Sequence, residues 1–317
     1  MERISLIEGL LITREIIGIE RLGVEASKKE CFAFIDQYLE AGGNCIDTAR
    51  LYNDGETDRI LGEWLRSSGQ RNNVILCTKG SHNDQYGQPR LSPQNIVEDL
   101  DAALYDIGID HTDIHILHRD NLNLPVSEIM PVLDQIVCSG KARAVGVSNW
   151  TASRIIEANR FAAENNLNPI TASQIQYSLA VTTPAATGDL THIVMNDVEY
   201  GWYLESQLPV LAYSAQARGY FIKLSKGEEL RPSVKKYYDN FPENKRRAVR
   251  IQRLAEQLEC SIAEICIAYV LYSGLNTAAL ITVSSLEQLQ TAFQAEQIKL
   301  TAEQVKYLER GNYHRKN

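Results

Sequence analysis

At 317 residues, 44% hydrophobic and 23% charged, the chain has ordinary globular usage, which excludes a disordered or collagen-like polymer. Its net charge of −8 and pI near 5.4 argue against a general nucleic-acid partner. No apolar run reaches the ~18 residues of a membrane span, and charges interrupt the opening MERISLIEGLLITREIIGIERLG, so neither a membrane partner nor a signal peptide is expected.

Strand-length apolar runs alternate with helical patterns along the whole chain. The strands are expected at IIGI (16–19), NCIDTA (44–49), VILCTK (74–79), DIHILH (113–118), ARAVGVS (142–148), ASQIQYS (172–178), PVLAYS (209–214) and AALITV (278–283). Between the first two, Phe32, Ile35 and Leu39 recur at helical spacing. Ser92-Pro93 opens a helix over 93–107 that Gly108 ends, and Thr151 precedes a helical run to about Asn165. Eight strands with helices between them predict an α/β fold, a (β/α)8 (TIM) barrel, as one domain over 1–317 with a helix at its C-terminal end. A doubly wound sheet fits the alternation too, but GxGxxG and GxxxxGK[ST] are both missing. The stretch from Gln216 to Pro242, after the seventh strand, reads as a long loop of the kind that forms lids or binding segments. Six cysteines (Cys31, Cys45, Cys77, Cys138, Cys260, Cys266) make no CxxC pair and no metal-like spacing, as expected of reduced thiols in a cytoplasmic protein.

Barrel active sites lie at the C-terminal ends of the strands. Asp47 closes the second strand, Lys79 the third and His118 the fourth, and Tyr52 follows Asp47 by five residues. Alternation sets Cys45 on the same face as Asp47, Cys77 beneath Lys79 and Ile116 beneath His118. Neighbouring strands are about 4.8 Å apart, so these groups can meet in one mouth. Alone, such an aspartate is usually a turn residue, such a lysine a solvated one, and a strand histidine a core residue. Four chemically able side chains at corresponding places on consecutive strand ends are harder to explain that way.

The block NCIDTARLYNDGETDRILGEWL resembles the signature of the aldo-keto reductases, as do TKG (78–80), LH (117–118), GKARAVGVSNW (140–150), ASQIQYS and VLAYSAQARG. The matches run in order from about residue 15 to 308. The resemblance implies reduction of an aldehyde or ketone, with Tyr52 as the general acid, Lys79 lowering the tyrosine pKa, Asp47 holding Lys79, and His118 orienting the carbonyl. Hydride would come from a nicotinamide cofactor, since no side chain supplies one. It further implies that Ser148, Asn149 and Gln174 bind the nicotinamide carboxamide, that Tyr213 stacks on its ring, and that Ser214 and the loop from Arg218 to Lys223 lie near the pyrophosphate. Without the resemblance, Ser148-Asn149 reads equally as a helix cap.

Three departures stand out. Ser214-Ala215-Gln216 replaces the family's Ser-Pro-Leu, and Thr57-Asp58 its usual Ser-Glu. In TVSSLEQLQTAF (282–293), Gln288 and Ala292 stand where many members have Arg and Asn. Ser284 and Gln288 remain expected adenosine contacts, but this block offers a 2′-phosphate no cation. NADP(H) is therefore the expected cofactor by resemblance, with NAD(H) the alternative. The partner is a small-molecule carbonyl, and the family leads one to expect a monomer. The loops 82–90, 119–125 and 216–242 carry Tyr, His, Gln, Asn and Arg, compatible with a polar or sugar-like carbonyl. Two rivals stand beside this expectation: a cofactor-binding regulatory subunit resembling the potassium-channel β subunits, and a lyase or epimerase using Lys79 as a Schiff base. The basic run Lys245, Arg246, Arg247, Arg250 and Arg253 reads as a solvated helix face.

Overall fold

The computed structural model describes residues 1–21, 27–282 and 285–311. Ten strands appear: β1 (Arg3–Ile7), β2 (Leu10–Thr13), β3 (Glu15–Gly18), β4 (Cys45–Asp47), β5 (Ile75–Gly80), β6 (Thr112–Leu117), β7 (Ala142–Ser148), β8 (Ala172–Gln176), β9 (Val210–Tyr213) and β10 (Thr277–Ile281). The last eight pair in parallel in the closed order β10-β3-β4-β5-β6-β7-β8-β9, with helices packed outside, so the expected (β/α)8 barrel is the fold. The helices at Pro93–Ile107 and Ala152–Glu164 begin where their caps require: the Ser92 and Thr151 hydroxyls accept from Asn95 and Arg154 N–H, and Gly108 ends the first in a left-handed conformation. Because Thr151 caps that helix, Ser148 and Asn149 are not its cap.

The strand parity read from the sequence is realised. Cys45, Cys77, Ile114 and Ile116 pack inside the barrel with Ile16, Ala144, Ala172, Leu211 and Ala278. Ile46 packs outward against Ile35, Leu61 and Trp64. An element not anticipated closes the lower end. The antiparallel hairpin β1–β2 sends Ile4, Leu6, Leu10 and Ile12 into the interior cluster. Its strands of five and four residues, flanked by Glu2, Glu8 and Arg14, are too short to announce a hairpin from sequence.

The segment 216–242 is not one loop. It holds a short turn at Ala217–Gly219 and helical turns at Tyr220–Ser225, Pro232–Val234 and Lys235–Asp239, anchored by buried Tyr220, Phe221, Val234 and Tyr238. These aromatics recur too irregularly to announce a helix from sequence. The basic run on the following helix, Pro242–Leu258, is also more engaged than a solvated face. Arg246 pairs with Glu243 at 2.7 Å, Arg247 donates to the Leu179 carbonyl at 2.6 Å, and Arg250 reaches Glu243 and the Leu308 carbonyl.

Two side effects of this packing are testable. Gly62 lets the helix Glu56–Ser68 approach the end of Pro93–Ile107 so closely that an added Cβ would lie 2.0 Å from the Ile107 carbonyl oxygen. Backbone cannot give way cheaply there, so Gly62→Ala is expected to lower the unfolding free energy in urea by roughly 1–3 kcal/mol or more. Glu15, at the start of β3, is buried with neither carboxylate oxygen partnered among the described residues. Burial first, then the Glu296 charge, pushes its carboxyl up to about 8, the N-terminal ammonium opposing. Folded chains thus keep a proton that unfolded ones have lost, and stability falls as pH rises from about 4.5 to about 8. Glu15→Gln abolishes that loss, so its thermal midpoint should exceed the wild-type value at about pH 8.5 but not at about pH 5.

Candidate active site

At the upper end of the barrel the expected side chains converge. Asp47 and Lys79, each 1% exposed, form a buried ion pair through Oδ1 and Nζ. Gln174 Nε2 donates to the second carboxylate oxygen at 2.8 Å. Parallel register sets Asp47 beside Cys77, and the side chains of Asp47 and Lys79 lean together above the Cys45–Cys77 layer. Past β4 the chain turns sharply: Thr48 Oγ1 donates to buried Asp58 at 2.6 Å, and Arg50 N–H to the Lys79 carbonyl at 2.9 Å. Asn53 and Asp54 then take left-handed conformations, which these residue types tolerate best after glycine. Asn53 Nδ2 is fixed by the Glu20 carbonyl and by Thr57 Oγ1 at 2.8 Å, giving the Thr57-Asp58 departure a local structural part. This turn carries Tyr52 back over the barrel. Its ring centroid lies 5.1 Å from Lys79 Nζ and 6.3 Å from the His118 ring, edge to face.

Charge and burial compete here. Burial drives the Tyr52 hydroxyl above its ordinary range, and the Lys79 ammonium only partly offsets this, so Tyr52 does not show the lowered pKa expected from a neighbouring ammonium. For Lys79, burial disfavours the charge, but Asp47 and Tyr52 outweigh it and the amine is held protonated. Burial, then Lys79 and Arg119, pushes His118 well below the usual imidazole range, leaving a neutral ring. The site therefore presents a protonated phenol, a fixed ammonium and a neutral imidazole at neutral pH.

A cleft of about 1110 Å³ runs from Asp47, Tyr52 and His118, past Ser148, Asn149, Gln174 and Tyr213, to Gln288. That exceeds the ~300–1,000 Å³ of ordinary small-ligand sites and suits a dinucleotide with a second molecule. Ser148 and Gln174 are register partners on β7 and β8. Asn149, left-handed at φ 59°, is a brace: Oδ1 accepts from Tyr213 OH at 2.8 Å and Ile193 N–H at 3.1 Å, while Nδ2 donates to Ser148 Oγ at 3.0 Å. The Ser148 hydroxyl proton and Gln174 Oε1 are then the groups left to meet a carboxamide. Ser214, Ala217 and Arg218 are all left-handed, and Arg218 stacks over Tyr237 at 4.6 Å where it borders the cleft, with Lys223, Lys226 and Arg231 further along. At the far end Ser285 caps the helix Leu286–Gln294, and Gln288 lines the cleft beside Glu287 and Thr291. Ser284 lies outside the described residues.

The sequence reasoning missed two histidines and one arginine of this mouth. His82 packs on His118 with centroids 4.8 Å apart. Arg119 donates to the His118 carbonyl at 2.9 Å and touches His192 Nε2 at 3.0 Å and Asp189 at 3.3 Å. His82 and Arg119 sit in loops already marked as substrate-determining. No local pattern marks His192, which the 177–196 stretch between β8 and the helix Asp197–Ser206 brings in from outside.

With the barrel, the Asp-Tyr-Lys-His cluster and the elongated cleft in place, comparison is informative. A model of the Aldo/keto reductase family matches residues 16–312. The chain belongs to this family. Membership makes it an oxidoreductase of nicotinamide-dependent carbonyl chemistry in general terms. Among its relatives, the uncharacterized oxidoreductase YrpG of Bacillus subtilis (strain 168) is 27% identical over 95% of this chain and 92% of its own length. A putative aryl-alcohol dehydrogenase, AAD14, of Saccharomyces cerevisiae is 28% identical over 89% of this chain and 77% of its own. The aldo-keto reductase yakc [NADP(+)] of Schizosaccharomyces pombe is 24% identical over 92% and 84%. Among the described residues, no group of three or more His, Cys, Asp or Glu is placed to hold a metal, and no helix is long and apolar enough to cross a membrane.

Proposed function

We propose that this protein reduces an aldehyde or ketone to its alcohol, with Tyr52 as the general acid and NADP(H) as cofactor. The observation that carries this is the Lys79 ammonium, fixed by Asp47 on one side and set against the Tyr52 ring on the other, at the strand end that also bears His118. A nicotinamide dinucleotide, when bound, supplies a hydride to the carbonyl carbon. The chain's own residues do the rest. His118, neutral, donates a hydrogen bond to the carbonyl oxygen and orients it. Tyr52 gives its proton to that oxygen as negative charge builds there. An alkoxide is a stronger base than a phenolate, so the transfer runs downhill even from a buried phenol, and Lys79 stabilises the phenolate left behind. Ser148 and Gln174 would hold the carboxamide, Asn149 would brace Ser148 and Tyr213, and Arg218 would face the pyrophosphate.

A specific observation favours NAD(H) as a second reading of the cofactor. The helix Leu286–Gln294 offers the adenosine ribose Glu287 and Gln288 and no cation. Six cysteines without a CxxC pair or metal-like spacing accord with a cytoplasmic location, and we propose a monomer as the working unit. The test is titration of NADPH and NADH against tryptophan fluorescence, Trp150 lying next to Asn149, followed by turnover with a carbonyl panel. Binding with turnover supports the reading. Binding without turnover transfers the protein to the regulatory-subunit class, and absence of binding overturns both. Because the buried phenol stays protonated, the reduction rate is expected to be flat from about pH 6 to about pH 9, without a titration near neutrality. A pH–kcat profile with a step in that window would remove Tyr52, as it stands here, from the acid role.

A further inference from the structure

We propose that the carbonyl substrate bears a hydroxyl on the carbon next to the carbonyl, read by His82 and the Arg119–His192 pair, so that the site selects small hydroxy-aldehydes or hydroxy-ketones over aryl aldehydes. This rests on the reductase reading above. The wall facing His118 is built from hydrogen-bonding groups where an aryl site needs apolar area. The His82 ring stands 4.8 Å from the His118 ring at 76°. Its Nδ1–H donates to the Asn83 carbonyl at 3.0 Å, which leaves Nε2 as an acceptor toward the cleft. His192 is fixed in the complementary sense: Nε2 accepts from Arg119 Nη2 at 3.0 Å, so Nδ1 carries the proton donated to Thr187 Oγ1 at 3.1 Å.

Arg119 is the sharpest indicator. It is 7% exposed, it lines the cleft, and its Nε–H has no acceptor among the described residues. A buried donor without a partner is costly, and a substrate oxygen drawn into this corner relieves that cost. Asp189 already balances the guanidinium charge, so the oxygen it calls for is a neutral one. Burial and the Arg119 charge also keep both imidazoles below their ordinary range, so they act as neutral hydrogen-bonding groups. Of the described residues that line the cleft, Leu51 is the aliphatic one adjacent in sequence to Tyr52. An aryl ring seated here would strip water from His82 and leave the Arg119 Nε–H unmet, returning no hydrogen bond.

Sites that hydrogen-bond a substrate hydroxyl reject the analogue lacking it, whereas apolar pockets discriminate weakly. The experiment compares kcat/KM for glyceraldehyde, propanal and benzaldehyde, each referred to its unhydrated aldehyde, in the wild type and in His82→Leu and His192→Leu. Wild type is expected to favour glyceraldehyde over propanal by about 10- to 100-fold, and the ratio should fall toward unity in either variant. His82→Asn, which keeps a hydrogen-bonding side chain, should retain most of the ratio, and unchanged thermal midpoints exclude misfolding. A wild-type ratio near one, a preference for benzaldehyde, or a ratio unmoved in both leucine variants would overturn the proposal. Loss of turnover with all three aldehydes despite cofactor binding would instead be the failure of the reductase reading itself, and the proposal would fall with it.

Discussion

Tyr52→Phe is expected to lower kcat by about 10²- to 10⁴-fold, the range that a positioned general acid contributes, while dinucleotide affinity stays within about twofold. The substitution removes one oxygen and keeps the ring that stands edge-on to His118 and 5.1 Å from Lys79 Nζ. Packing and the hydride path are therefore unchanged, and the developing oxyanion alone loses its proton donor. Steady-state kinetics with fluorescence titration of the cofactor separates the two effects. Turnover within a few-fold of wild type would exclude Tyr52 as the acid, and a collapse of cofactor affinity would mean that the hydroxyl organises the cleft instead.

Lys79→Met is expected to act on stability and on chemistry together. Asp47, buried in the native site, would keep the Gln174 amide and the Cys77 thiol as neutral side-chain partners but lose its counter-charge. Breaking a buried pair from one side costs about 3–5 kcal/mol, whereas replacing both partners by neutral groups is often nearly free. The double variant Asp47→Asn/Lys79→Met should thus recover most of the lost urea midpoint, yet neither variant should recover kcat, because Tyr52 no longer has the ammonium that stabilises its phenolate. A single variant as stable as wild type would show that the pair is not needed for the fold.

Much of the architecture is legible in the sequence, because alternation along a strand leaves few choices. Placing Asp47 inward forces Cys45 inward, and the neighbouring strands repeat the argument with Cys77 and Ile116. Caps were equally local: Ser92, Pro93 and Gly108 mark both ends of one helix within a few residues. What escaped was whatever depends on distant partners. The hairpin β1–β2 gains its strand character from covering the barrel interior, and the turns within 216–242 from burying Tyr220 and Tyr238. The resemblance implies a carboxamide contact for Asn149, and the fold adds hydrogen bonds of its amide with Tyr213, Ile193 and Ser148, a network that only tertiary structure assembles. His192 lies 74 residues beyond His118, and no spacing rule links them.

The hairpin stopper has a kinetic consequence. With the interior packed by Ile16, Cys45, Cys77, Ile116 and Leu211 and the lower end covered by Ile4, Leu6, Leu10 and Ile12, no passage crosses the barrel among the described residues, and the site is entered from above. Ser148 closes β7 and Gln174 lies within β8, whereas His82 and Arg119 follow the ends of β5 and β6, nearer the rim. If the former hold the dinucleotide and the latter the carbonyl compound, the two must queue, the dinucleotide arriving first and departing last. Alcohol product would then trap oxidised dinucleotide behind it, and turnover at saturation would report how fast the deeper guest gets out.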